Sequence, residues 1–142
     1  MDPFSIVLGG IAICECASKI ISLGISYGQS VNGLPVEVQA LISEIRLLKS
    51  VLGSLCSTLQ SEQSLEEEFT ISDILRITIK ECEQQLEELY ENLVKPQGTS
   101  GKLRALGRAL KWPMKEQETK DWLARMERYK TTISMAMQQE EL

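Results

Sequence analysis

Apolar residues recur at steps of three and four along most of this chain, the spacing of a single buried helical face. The pattern is longest in Val38, Leu41, Ile42, Ile45, Leu48, Val51, Leu52, Leu55, Cys56 and Leu59. It predicts a helix over 35–61, with Pro35 at the first position, where a missing N–H costs nothing. A second stripe, Ile71, Ile74, Leu75, Thr78, Cys82, Leu86, Leu89, Leu93 and Val94, predicts a helix over 71–95 that Pro96 ends. A third, Trp122, Leu123, Met126, Tyr129, Ile133, Ala136 and Met137, predicts a helix over 115–139. Asn32-Gly33 reads as a turn, Ser61 to Glu68 as a polar acidic loop, and Pro96 to Gly101 as a loop by composition. Lys102, Arg104, Arg108 and Lys111 then surround Leu103, Leu106, Ala109 and Leu110, a short basic amphipathic helix over 101–111 stopped by Pro113.

The opening stretch carries only a narrow polar stripe. Asp2-Pro3 is a helix start, a capping carboxylate followed by proline, and the helix is predicted over 3–28. Phe4, Ile6, Val7, Leu8, Ile11, Ile13, Ile20, Ile21 and Leu23 supply its apolar surface. Ser5, Ala12, Glu15, Lys19, Ser22 and Ser26 form the stripe, with Glu15 and Lys19 an i,i+4 pair. Gly10, Cys14, Ala17, Ile21, Gly24 and Gly28 make a seam of mostly small residues, and Gly24 and Gly28 have the GxxxG spacing of closely approaching helices. Such a helix rises roughly 39 Å, enough to cross a ~30 Å hydrocarbon layer. Its longest uncharged run, Pro3 to Cys14, is shorter than the ~18 apolar residues of an ordinary span. The segment therefore stands between a bundle-core helix and a membrane helix.

Composition and charge narrow the fold. A chain of 142 residues is one domain, 1–142, and its 43 % apolar content supports a core. With 4 prolines and 9 glycines among long stretches of helix formers, the expected class is all-α. The expected architecture is four long helices in a bundle plus one short basic connecting helix before the last. A net charge of −5 argues against nucleic acid as a partner. The charge is uneven: residues 61–94 hold ten acids against two bases, and residues 95–115 hold six bases and no acid. The basic helix has two readings. Either it faces the acidic third helix, or it meets anionic lipid, each base contributing ~1 kcal/mol at a charged membrane surface.

Nothing in the chain assembles a reaction centre. Cys14, Cys16, Cys56 and Cys82 form no CxxC pair, and with 0 histidines there is no zinc set. They read as reduced thiols packed as small hydrophobes, in a reducing, cytoplasmic compartment. The N-terminus opens with an acid and has no base before Lys19, unlike a signal peptide. Glu81, Glu83, Glu87, Glu88 and Glu91 hydrate an exposed helical face. Gly98 and Gly101 lack the GK[ST] of a phosphate loop. The expectation is a protein that is not an enzyme and uses no metal or cofactor.

The two ends of the chain resemble a known family. The opening MDPFSIVLGGIAI resembles the MDP[LF]S start of an N-terminal domain found on many fungal multidomain proteins. The stretch LRALGRALKWPMKEQETKDWLARMERYKTTISMAM is similar to that family's end: a short Leu/Gly/Ala helix, a Trp, a basic residue, and an R-x-E-R-x-K-like run, here Arg125 to Lys130. The family is the fungal N-terminal domain of STAND-type, NLR-like receptors, close to the HeLo-like class. The resemblance implies a bundle attached to downstream nucleotide-binding and repeat domains, similar in architecture to four-helix cell-death executioner domains. It further implies regulated cell death through oligomerisation and membrane permeabilisation, with movement from cytoplasm to plasma membrane on activation.

Two functions follow. In one, the first helix packs in the bundle at rest and inserts into a membrane when copies assemble. Gly24 and Gly28 then lie at helix contacts, Glu15 and Lys19 face a water-filled lumen, and Lys102, Arg104, Arg108 and Lys111 hold anionic lipid. In the other, the bundle is a helical adaptor or autoinhibitory module that never enters a bilayer.

Overall fold

The computed structural model describes residues 3–30, 34–64, 73–105 and 112–140. They form α1 (Pro3–Ser30), α2 (Val36–Ser64), α3 (Asp73–Ala105) and α4 (Glu116–Glu140). The class expected from the apolar stripes is the one observed, an all-α bundle of four helices.

The helix starts follow from local chemistry. The Pro35 carbonyl accepts from the Val38 and Gln39 amides at 3.1 and 3.0 Å, and Gln39 Nε2 donates to the Leu34 carbonyl at 2.7 Å. Proline thus stands just before the first turn of α2, its carbonyl opening the ladder. At α4 the Lys115 carbonyl plays the same part, accepting from the Thr119 amide at 2.9 Å and the Thr119 hydroxyl at 3.1 Å.

Pro96 does not end the third helix. α3 runs through Pro96, Gly98 and Gly101 to Ala105, so the expected loop and separate basic helix are, up to that point, the tail of α3. Proline removes one backbone N–H and crowds the preceding turn, at about 3 kcal/mol, but residues beyond it still donate to carbonyls four positions back. Composition signalled a break where the ladder loses a rung. Residues 106–111, the remainder of the expected basic helix, lie outside the described residues.

Cross-helix contacts fix the arrangement. Gly24 meets Ile42 and Gly10 meets Cys56, so α1 and α2 are antiparallel. Gly9 meets Ile79 and Tyr27 reaches Leu93, so α1 and α3 are parallel. α4 packs on α2 and α3, while α1–α4 and α2–α3 make no contact among the described residues. The ring order is α1–α2–α4–α3, with α2 and α3, consecutive in sequence, on a diagonal. The first turns of α1 and α3 therefore share one end of the bundle with the last turns of α2 and α4. The core between them is Ile6, Ile13 and Ile20 from α1, Leu41 to Leu59 from α2, Leu75 to Leu93 from α3, and Trp122 to Ile133 from α4.

Candidate functional site

α1 carries apolar residues beyond those its core face needs. Ile6, Val7, Ile13 and Ile20 are buried, and Ile21 and Leu23 pack partly buried against them. Leu8 and Ile11, one turn apart and facing away from Ile6, Ile13 and Ile20, are 52 % and 43 % exposed. Phe4 lies in the first turn of α1, its side chain outside the described residues. The outward face is mixed along its length: exposed Leu8 and Ile11, then Glu15, Lys19 and Ser22, then Ile25 at 46 % exposure. From Ser5 to Gly28 the helix has mean hydropathy 1.8, long and apolar enough to cross a bilayer by length and composition.

The polar stripe looks onto α3. Lys19 Nζ sits 5.6 Å from the Tyr90 ring centroid, a cation–π contact. A surface groove of about 370 Å³ runs beside it along Ser18, Ser22, Leu23 and Ser26. A neighbouring one of about 250 Å³ is lined by Glu15, Cys16, Glu87 and Glu91.

The small-residue seam is occupied inside the bundle. A Cβ on Gly24 would come within 2.6 Å of Ile42 Cδ1, and one on Gly10 within 2.6 Å of Cys56 Sγ. Gly28 has ordinary contact with Leu34, the same Cβ test giving 3.5 Å. In this structure Gly24 and Gly28 therefore serve packing within one chain, α1 against α2 and its connector.

At its C-terminal end α1 is tied into a polar knot. Tyr27 is buried, its hydroxyl donates to the Leu93 carbonyl at 3.2 Å, and its ring meets the Trp112 ring edge-on at 5.4 Å. Trp112 Nε1 donates to Thr119 Oγ1 at 3.0 Å. This chain of contacts joins α1, α3, the 112–115 connector and α4 at one end of the bundle. Tyr27 continues the α1 core stripe, seven positions after Ile20, which is the signal that marks it in the sequence.

Two further contacts come from the R-x-E-R-x-K-like run, and both are structural. Arg125 donates to Gln85 Oε1 of α3 at 3.1 Å and lies 4.5 Å over the Trp122 ring. Lys130 Nζ lies 2.7 Å from Glu44 Oε1 of α2, with Glu44 only 8 % exposed. That oxygen has no hydrogen-bond partner of good geometry among the described residues, so the attraction is mainly charge on charge. Sequence reasoning passed over this pair, although Glu44 falls between Leu41 and Leu48 and Lys130 between Met126 and Ile133, each on an apolar stripe.

The cysteines are quiet. Burial pushes all of their thiols up, Cys82 most, from 9.0 to about 12. Protonated thiols are poor nucleophiles and poor metal ligands. Cys14 and Cys56 instead point at the Lys49 and Val7 carbonyls across the α1–α2 seam, at 3.7 and 3.8 Å. Among the described residues no three His, Cys, Asp or Glu side chains converge on a metal position. Lys102 and Arg104 fall in the last turn of α3, at the end of the bundle away from Leu8 and Ile11. Arg108 and Lys111 lie outside the described residues.

A family model described as the pigment biosynthesis cluster protein PigL N-terminal domain matches residues 1–142, the whole chain. The chain belongs to that family. It is a fungal N-terminal domain family, which agrees with the resemblance carried by the two termini at that coarser level. No curated protein matches the chain, and no solved structure does.

Proposed function

We propose that this chain is the N-terminal effector domain of a fungal NLR-like receptor, causing regulated cell death when copies assemble and α1 enters a membrane. The observation that carries the reading is the distribution of apolar surface on α1: buried Ile6, Ile13 and Ile20 on one side, exposed Leu8 and Ile11 on the other. A helix that only fills a bundle needs one apolar stripe. α1 has apolar surface left over, along a segment long enough to cross the hydrocarbon.

The partners under this reading are other copies of the chain, anionic lipid, and downstream nucleotide-binding and repeat domains of the same protein. The domain rests in the cytoplasm, moves to the plasma membrane on activation, and performs no catalysis. Glu15 and Lys19 face a shared lumen, and Lys102, Arg104, Arg108 and Lys111 hold lipid headgroups.

Dye release from anionic liposomes tests it, with the wild-type chain, a variant lacking residues 1–28 and Glu15→Leu. Release by the wild type and none by the deletion is the expected result. No release by the wild type or either variant, even under forced oligomerisation, would sink the reading. A helical adaptor is the second reading, favoured by Ile74 and Ile77 of α3 and Met135 of α4, which are exposed at one end of the bundle. It predicts partner capture that Glu15→Leu leaves unchanged and that Ile74→Asp with Ile77→Asp abolishes.

A further inference from the structure

The cysteines of this chain are not scattered. Cys14 and Cys16 lie on α1, Cys56 on the facing part of α2, and Cys82 in the core side of α3. Cys82 is fully buried, and Cys16 opens on the α1–α3 side beside Glu87. Cys14 and Cys56 share the other side of α1, and both are half-buried free thiols. They border one mainly apolar groove of about 260 Å³, with Ile11, Lys49 and Gly53 among its walls.

Two glycines shape this place. Gly10 of α1 has no side chain, and the Cys56 sulfur fills the space, since a Cβ there would stand 2.6 Å from it. Cys14 follows Gly10 by one helical turn, about 6 Å along the axis. The Cys56 sulfur points at the Val7 carbonyl and the Cys14 sulfur at the Lys49 carbonyl, so each reaches across the α1–α2 seam. A charge on Cys14 would push the Cys56 thiol up, which fits sulfurs at this range. Gly53 of α2 leaves the groove open to small molecules, because a Cβ on it would meet nothing within 4 Å. A disulfide needs α-carbons about 4.4–6.8 Å apart, a separation that helices packed at a glycine can reach.

We propose that Cys14 and Cys56 form an oxidisable dithiol, a modification site at which a peroxide staples α1 to α2 through an intramolecular disulfide. The first sulfur attacks the peroxide and the O–O bond breaks. One oxygen stays on sulfur as a sulfenic acid, and the other leaves as water. The second sulfur then displaces that oxygen, which departs as a second water carrying the second thiol's proton. Two thiols have lost two electrons and two protons, and hydrogen peroxide has taken both up. Burial keeps the two thiols protonated at neutral pH, so the site answers sustained oxidant and reacts faster as pH rises. The staple closes a long loop through the α1–α2 connector and so restricts the unfolded chain. It requires neither membrane nor assembly, and its test stands apart from the function proposed above.

Millimolar hydrogen peroxide acting on the 1–142 chain at pH 8 tests it, read by intact mass and by peptide mapping after free thiols are blocked. The expected product is a monomer about 2 Da lighter, with Cys14 linked to Cys56, Cys16 and Cys82 free, and dithiothreitol restoring the starting mass. The stapled chain should melt roughly 10 °C higher than the reduced one. Cys14→Ser and Cys56→Ser should each abolish the link, whereas Cys16→Ser and Cys82→Ala should keep it. Gly53→Leu, which covers the groove, should slow its formation by about tenfold. Passage of either sulfur to sulfinic acid with no disulfide formed overturns the proposal. So does a link to Cys16 or Cys82, a link between chains, or one that forms only in urea. Should a substitution unfold the chain, the wild-type peptide map still decides.

Discussion

The Glu44–Lys130 pair offers the sharpest test of how α4 is held. Glu44 is 8 % exposed on α2, and Lys130 approaches it to 2.7 Å with a side chain 28 % exposed. Breaking a buried pair by removing one charge costs about 3–5 kcal/mol, because the remaining ion is left without a partner in a poor solvent. Water reaches the Lys130 end, so Lys130→Met should fall at or just below the low end, about 2–3 kcal/mol. Methionine keeps most of the stem, which limits the packing loss. Replacing both charges, Glu44→Leu with Lys130→Met, removes the uncompensated ion, and the double variant should return to within about 1 kcal/mol of wild type. Urea unfolding followed by far-UV circular dichroism measures all of these. The single variant should also melt about 10 °C lower, at roughly 4 °C per kcal/mol for a chain of this size. A loss below about 0.5 kcal/mol for Lys130→Met would mean a solvated surface pair. A double variant as unstable as the sum of the singles would mean that the two side chains pack independently.

Other consequences follow from the same packing. Gly10→Val should destabilise by about 2–3 kcal/mol, since its Cβ alone would stand 2.6 Å from Cys56 Sγ, while Gly53→Ala, with nothing within 4 Å, should stabilise by about 0.5–1 kcal/mol in the same urea titration. Burial pushes the Cys82 thiol up from its ordinary 9.0 to about 12, so between those values the folded state keeps a proton that the unfolded state has lost. Its contribution is complete below pH 9 and drains away as pH rises, so the urea midpoint should fall less steeply above pH 9 in Cys82→Ala; equal slopes would refute this. Pro96→Ala should return the missing rung of α3 and slow amide exchange at 96–100; unchanged exchange there would show that the turn is not helical in solution.

The sequence carried most of the fold and little of what joins it. Stripes such as Leu41, Ile45, Leu48, Leu52 and Leu55 are legible because one helical face must leave water, and all five are buried. Pro96 misled because composition reports the intrinsic penalty of a residue and says nothing about helix resuming beyond it. Glu44 and Lys130 occupy stripe positions that only a partner on another helix explains, and the sequence does not say which helix lies opposite. The diagonal placement of α2 and α3 is hidden for the same reason. The Tyr27–Trp112 contact joins residues far apart in the chain, and periodicity marks only that Tyr27 points inward. In the candidate site, Glu15 and Lys19 were readable as an exposed stripe. The reading of Gly24 and Gly28 as self-association residues met a competing fact, since Ile42 and Leu34 already occupy them.

What remains is why a helix so apolar should keep Glu15 and Lys19. On an insertion scale, Ile6, Val7, Leu8, Ile11, Ile13, Ile20, Ile21 and Leu23 together favour the bilayer by roughly 2–5 kcal/mol. Glu15 and Lys19, both exposed and near the middle of the segment, oppose it by roughly 5–7 kcal/mol if they meet lipid. The charges win for a single copy, which would keep α1 closed over its core in water and reluctant to insert alone. Several copies arranged with their stripes on a common water-filled lumen escape that cost, because each charge then stays hydrated. Assembly is thus a physical requirement of the membrane reading rather than an addition to it. Glu15→Leu with Lys19→Leu separates binding from permeation. The variant should co-sediment with anionic liposomes more strongly than wild type and yet release less dye, because its lumen-facing stripe no longer holds water. If release rises together with binding, the stripe does not line a lumen.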